Sequence, residues 1–329
     1  MKDFHHSFNR RCKRHDYRSR CIYMITMLKS AQAPFFSSIS RDPKAKKISP
    51  LMKIHPAGRI IHECLDQLCL DYHGLRILNR IVMPDHIHFE IFVTERTELP
   101  LGSMLASFKS ACTNRYREEF PQSPVALTNL SLFEPGFNDK IAFRAGAKDA
   151  FYNYISDNPR RYLVKKLCPE FFFHKLQITT CGRKCGLYGN IFLLDNPVKS
   201  FVKISRDPLK TPDYEAKIME WEETIRSGGV LVSPFINPYE KEYRDAAIKN
   251  GNGIILVTDF RFSDRRKPYK ELFDRCAEGK LLIISTEEFA EPSKAMNYHH
   301  AQQLNAIAAE IAQLPPCAAQ LFRRDPLVP

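Results

Sequence analysis

At 329 residues the chain is long enough for two ordinary domains, and its 44% apolar content supplies real cores and argues against global disorder. The 49 Lys and Arg against 37 Asp and Glu leave a formal charge of +12, which favours an anionic partner, nucleic acid ahead of an anionic membrane. No apolar stretch reaches the length of a membrane span and the opening residues lack an apolar signal core, so a cytoplasmic location is expected.

The elements follow in chain order. Residues 1–20 form a basic arm with Arg10, Arg11, Lys13, Arg14, Arg18 and Arg20. Cys21–Leu28 reads as a strand. Residues 31–57, with Pro34, Pro43, Pro50 and Pro56, read as a loop. Ile60–Leu70 has helical spacing, and two strands follow, Leu75–Val82 and His86–Val93, joined by the turn at Met83, Pro84 and Asp85. Leu101–Phe120 reads as a basic amphipathic helix, residues 121–146 as irregular, and Lys148–Asp157 as a helix. Asn158 and Pro159 then read as the cap and first turn of a new helix reaching about Leu167. Past residue 195 strands alternate with helices, which predicts a mainly parallel α/β sheet. The expected divisions are the arm at 1–20, a first domain at 21–170, a connecting segment at 171–195 and a second domain at 196–329.

The ten cysteines lie mostly in apolar segments and read as reduced core residues. Cys181 and Cys185, with Cys168 and His174 upstream, fall short of the four well-spaced ligands that a zinc site needs.

The strand His86–Val93 is the most informative segment. Side chains alternate across a strand, so Ile87, Phe89, Ile91 and Val93 share one apolar face. His86, His88 and Glu90 share the other. Two imidazoles aimed the same way from a strand with a buried back can hold one divalent cation. They can equally be surface histidines on a half-buried strand.

Residues 83–93 resemble the histidine-hydrophobic-histidine strand of HUH nucleases. Phe151–Arg161 resembles the tyrosine helix of the REP-associated tyrosine transposases, whose Tyr-Ile-x-x-Asn-Pro run falls on Tyr154 to Pro159. Cys21–Leu28, Leu101–Tyr116 and Phe133–Asp139 resemble further parts of the same family, over residues 17–168 in all. The resemblance implies a ferredoxin-like α+β fold and a single-stranded DNA endonuclease, with hairpin DNA as a candidate partner. In it Tyr154 is the nucleophile and forms a 5′-phosphotyrosine link, while Mg²⁺ or Mn²⁺ sits on His86 and His88. Tyr154 and Asn158 stand at i and i+4, on one side of a helix, so Asn158 is the candidate third ligand and Glu90 the runner-up. Tyr152 points about 200° away from Tyr154 and is the lesser candidate. Lys109, Arg115, Arg160 and Arg161 are candidates for phosphate contacts. The alternative from another class is a catalytically silent protein that binds hairpin or single-stranded DNA.

The second half resembles the Rossmann-like domain of DNA-processing protein A, through Ser205, Arg206, the Gly228–Pro234 stretch and Gly251–Val257. It departs from that pattern at Phe235–Glu240, and no dinucleotide fingerprint is present. The resemblance implies a nucleotide or DNA ligand, with Ser205, Arg206, Ser233 and Asn237 as candidate contacts. The competing reading is an accessory domain that positions the nuclease or pairs it as a homodimer.

Overall fold

The computed structural model describes residues 12, 14–180, 183–205, 207, 212–259, 270–286 and 298–319. The chain divides into two compact units, residues 1–164 and 165–329.

The first unit is built on β1 (Cys21–Leu28), β2 (Ser37–Arg41), β3 (Pro50–Ile54), α1 (Pro56–Asp71), β4 (Leu75–Val82), β5 (His86–Val93), α2 (Leu101–Glu119), the short α3 (Pro124–Leu127), β6 (Asn138–Ile141) and α4 (Ala147–Leu167). Four strands make an antiparallel sheet in the order β4-β5-β1-β6. Its strands alternate as the sequence does. Tyr23, Ile25 and Met27 of β1 and Ile87, Phe89, Ile91 and Val93 of β5 are fully buried on one face. The apolar stripes of α1 (Ile60, Ile61, Leu65, Leu68) and α2 (Leu105, Phe108, Cys112) close that core. Burying such side chains contributes on the order of 1.5–3 kcal/mol each. The opposite face carries His86, His88 and Glu90, and α4 reaches it at His88 and Asn79.

Three expectations are corrected here. Residues 31–57 are not a loop throughout: β2 and β3 pair as a hairpin. Its prolines stand at ends, Pro50 opening β3 and Pro56 at the first turn of α1, where a missing N–H costs nothing. Residues 121–146 contain the short edge strand β6. No break occurs at Pro159, which lies inside one helix of 21 residues and is buried. Asn158 therefore caps nothing. Pro159 removes the donor for the Ile155 carbonyl, a loss the helix bears because its face is packed.

Gly58 in α1 is where the hairpin meets the helix. A Cβ there would stand 2.2 Å from the Phe36 carbonyl oxygen. The expected result for Gly58→Ala is a net loss of about 1 kcal/mol, because the clash outweighs the helix-propensity gain of alanine. A urea midpoint at or above wild type would contradict it.

The second unit holds β7 (Phe173–Thr180), β8 (Arg183–Gly189), β9 (Lys199–Phe201), α5 (Tyr214–Arg226), β10 (Val230–Ser233), α6 (Pro238–Lys249), β11 (Gly253–Thr258), α7 (Lys270–Ala277), β12 (Leu281–Thr286) and α8 (Tyr298–Ala312). The sheet order is β7-β8-β12-β11-β10-β9. β9 to β12 run parallel, as the alternation predicts, while β8 joins β12 antiparallel and β7 pairs with β8. The sheet is thus mixed, and residues 171–195 supply two of its strands. One face packs on Leu304, Ile307 and Ile311 of α8. The other packs on Trp221 of α5, Ala247 of α6 and Cys276 of α7.

Candidate active site

β5 fixes the two imidazoles. Its apolar face is locked into the core, so alternation forces His86 and His88 onto the α4 face. Their ring centroids lie 4.6 Å apart. His88 is buried and its Nδ1 shares a 2.8 Å hydrogen bond with Thr26 Oγ1, directly across the β1–β5 ladder. His86 Nδ1 donates to Asp85 Oδ1 at 2.7 Å. That interaction holds the Asp85 carboxyl below its ordinary range, against the opposing effect of burial. Nδ1 of each ring is thus committed to an oxygen partner. A histidine fixed through one nitrogen by an oxygen partner is the usual arrangement of a metal-bound imidazole.

α4 brings the phenol. Tyr154 lies edge-on to His88 with ring centroids 5.5 Å apart. The helix is pinned over the sheet by Asn79 of β4, whose Nδ2 donates to the Tyr152 carbonyl at 3.2 Å and to Ser156 Oγ at 3.1 Å. Tyr152 points away and is half exposed. Two cations flank the Tyr154 ring: Lys140 Nζ at 5.7 Å and Arg161 Cζ at 5.8 Å from its centroid. They place positive charge beside the phenol.

Asn158 is buried one turn on from Tyr154, and its Nδ2 donates to the Tyr154 carbonyl at 2.9 Å. Its Oδ1 is the atom left for a ligand role. Glu90 is fully buried on the histidine face, with neither carboxylate oxygen hydrogen-bonded. Among the described residues no three His, Cys, Asp or Glu side chains converge on one point.

The other sequence candidates lie elsewhere. Lys109 sits on α2, behind the sheet, and its Nζ donates to the carbonyls of Glu134 and Gly136 (3.0 Å to the latter). Burial pulls its pKa down to about 8. It braces the loop before β6. Arg115, also on α2, is ion-paired with Glu63. Arg160 is held by both oxygens of Asp157 at 2.6 and 2.9 Å. Of the four basic candidates, Arg161 is the one the structure sets against Tyr154. Sequence reasoning missed Thr26, Asp85 and Lys140. One of them had a signal: Asp85 directly precedes His86.

In the second unit the side chains of Ser233 and Asn237 make hydrogen bonds within the fold. Ser233 Oγ accepts the Phe235 N–H at 2.9 Å, beside a backbone with φ 45° at Phe235. Asn237 caps α6 through the Tyr239 N–H at 2.7 Å and donates to the carbonyls of Ile204 (2.8 Å) and Ser205 (3.2 Å). Buried Glu240, unnoticed in the sequence, accepts the N–H groups of Ile204, Ile236 and Asn237 at 3.1, 2.8 and 3.2 Å. Ser205 is half-buried beside them. Arg206 and Cys181 lie outside the described residues. Among the described residues no helix is long and apolar enough to cross a membrane.

No family model matches the chain. An uncharacterized protein of Haemophilus influenzae (strain ATCC 51907 / DSM 11121 / KW20 / Rd) is 24% identical over 175 residues, covering 47% of this chain and 89% of that protein. Among solved structures, a REP-associated tyrosine transposase bound to a REP hairpin is similar at 14% identity and a TM-score of 0.31, over 46% of this chain and 74% of that one. A candidate transposase from Deinococcus radiodurans R1 is similar at 14% identity and a TM-score of 0.29, over 45% of this chain and 97% of that one.

Proposed function

We propose that the first unit is a transposase-like endonuclease that cuts and rejoins single-stranded DNA through Tyr154. The observation that carries this reading is the meeting of Tyr154 with His88, whose ring lies against His86, from a helix and a strand more than sixty positions apart. The sheet order β4-β5-β1-β6, with α1 and α2 on one face, supports the ferredoxin-like fold that this reading expects.

His86 and His88 would hold the cation through Nε2, with Asn158 Oδ1 as the third protein ligand. Mg²⁺ or Mn²⁺ bound there supplies Lewis-acid polarisation of a non-bridging phosphate oxygen. Thr26 and Asp85 keep both rings in register. Lys140 and Arg161 meet the phosphate charge beside the phenol. The Tyr154 hydroxyl loses its proton to solvent and its oxygen attacks phosphorus in line. The P–O3′ bond breaks, leaving a free 3′-OH and a 5′-phosphotyrosine link. A phenol leaves more readily than a sugar hydroxyl, so the 3′-OH of another strand can reverse the step without a nucleotide cofactor.

The test is a labelled single-stranded hairpin incubated with the protein and Mn²⁺ or Mg²⁺, then run on a denaturing gel. A label that migrates with the protein is expected; none with either ion would end the proposal. Asp85→Asn supplies a finer check. Loss of the carboxylate behind His86 should weaken cation affinity about 10–100-fold. That reads as a rise in the Mn²⁺ concentration giving half-maximal adduct, and an unchanged requirement would contradict it.

A further inference from the structure

The β2–β3 hairpin is an element that the proposed chemistry does not use. Its outward side carries Arg41, Lys44, Lys46, Lys47 and Lys53, all exposed. Among the described residues none of the five is ion-paired, and Asp42 is the one acid between Ser37 and Ile54. A lysine-rich turn is usually just solvated surface. Here its placement argues for more. The hairpin's inward residues Ile39, Ile48 and Met52 pack on Met83 and on Tyr162 and Leu163 of the tyrosine helix. Ser37 Oγ donates to the Val82 carbonyl at 2.8 Å. The Phe36 N–H donates to the Pro84 carbonyl at 3.0 Å. The hairpin is therefore anchored to the turn that delivers His86 and to the helix that delivers Tyr154. At its entry Phe35 is 59% exposed, beside a basic element and with Lys29 Nζ 5.3 Å from its ring centroid. Unpaired cations that track a backbone, next to an exposed aromatic that stacks a base, are the two components of single-strand recognition.

We infer that the β2–β3 hairpin with Phe35 is the docking element for the DNA strand leading to the Tyr154 site, its lysines on phosphates and Phe35 against a base. This rests on the nuclease reading for its substrate, so its test is kept independent of cleavage. Binding of a fluorescent single-stranded oligonucleotide is measured in EDTA over a series of salt concentrations. The Lys44→Gln, Lys46→Gln, Lys47→Gln, Lys53→Gln variant should bind about tenfold or more weakly. Its slope of log affinity against log salt should fall by about 0.7 for each phosphate left without a lysine. Phe35→Ala should weaken binding about tenfold with the slope unchanged. The fourfold Lys→Arg variant should bind as wild type, which separates charge from fold. Unchanged affinity and slope in the Gln variant would overturn the inference. So would an equal loss for Phe35→Ala on blunt duplex DNA, where no base is free to stack. Weakened binding in a protein that never forms an adduct would sink the nuclease reading and leave the docking element standing. Adduct formation with binding indifferent to the lysines would do the reverse.

Discussion

Tyr154→Phe is expected to abolish the covalent DNA adduct and to lower strand cleavage on the order of ten-thousandfold or more, the scale of losing a nucleophile. The same variant should keep its stability within about 0.5 kcal/mol of wild type. Among the described residues the Tyr154 hydroxyl makes no hydrogen bond, and the ring packing on His88 survives the change. DNA binding in EDTA should also survive, since the phenol oxygen is not among the groups assigned to hold the strand. Tyr152→Phe is the internal control: its side chain is half exposed and turned from the histidines. If Tyr152→Phe removed the adduct and Tyr154→Phe did not, the nucleophile would sit on the other side of the helix. If neither changed anything because wild type itself forms no adduct, the silent DNA-binding reading would take over.

What the sequence could tell differs from element to element, for physical reasons. The face of β5 was readable because period-two alternation of Ile87, Phe89, Ile91 and Val93 leaves the histidines only one direction. The tyrosine helix was readable as a helix, but its continuity was not. Asn158 and Pro159 carry the local chemistry of a helix start, and tertiary packing of Pro159 overrides it. The β2–β3 hairpin was hidden because its prolines and lysines are loop-like in composition. The small apolar set that stabilises it, Ile39 and Met52, works only against Met83 and Leu163, far along the chain. Lys109 shows the same limit at the level of one residue. A lysine on a basic helix face suits a phosphate, and nothing local reveals that two carbonyls of a later loop already hold it. The partners of His86 and His88 were half readable: Asp85 is adjacent in sequence, whereas Thr26 reaches His88 only through strand register.

Glu90→Met should stabilise the protein by about 1–3 kcal/mol at neutral pH, the scale of relieving a buried polar group that has no partner. Glu90 stands mid-strand in β5, paired in register with Met24 on one side and Asn79 on the other. It is fully buried and neither oxygen is hydrogen-bonded. Burial raises its carboxyl pKa, with Lys148 pulling it back and Asp149 adding to the rise. The sign of the pH effect follows. With the folded pKa above the unfolded value of about 4.3, the unfolded chain releases its proton first as pH rises. Wild type therefore loses stability relative to the Met variant from about pH 4 upward, and in acid, below both pKa values, the gap narrows to the cost of burying the neutral carboxyl. Urea midpoints of both proteins across that range measure this directly. A Met variant less stable than wild type at neutral pH would mean that the carboxylate has a partner after all. The same pair of proteins bears on the ligand set. Because Glu90 does not converge with the two imidazoles, its removal should leave Mn²⁺ affinity within about twofold of wild type, whereas loss of a true ligand costs far more. A more stable variant with intact cation binding but slower strand cleavage would mark Glu90 as a residue retained for the reaction at the expense of the fold, which is where departures from good packing tend to concentrate.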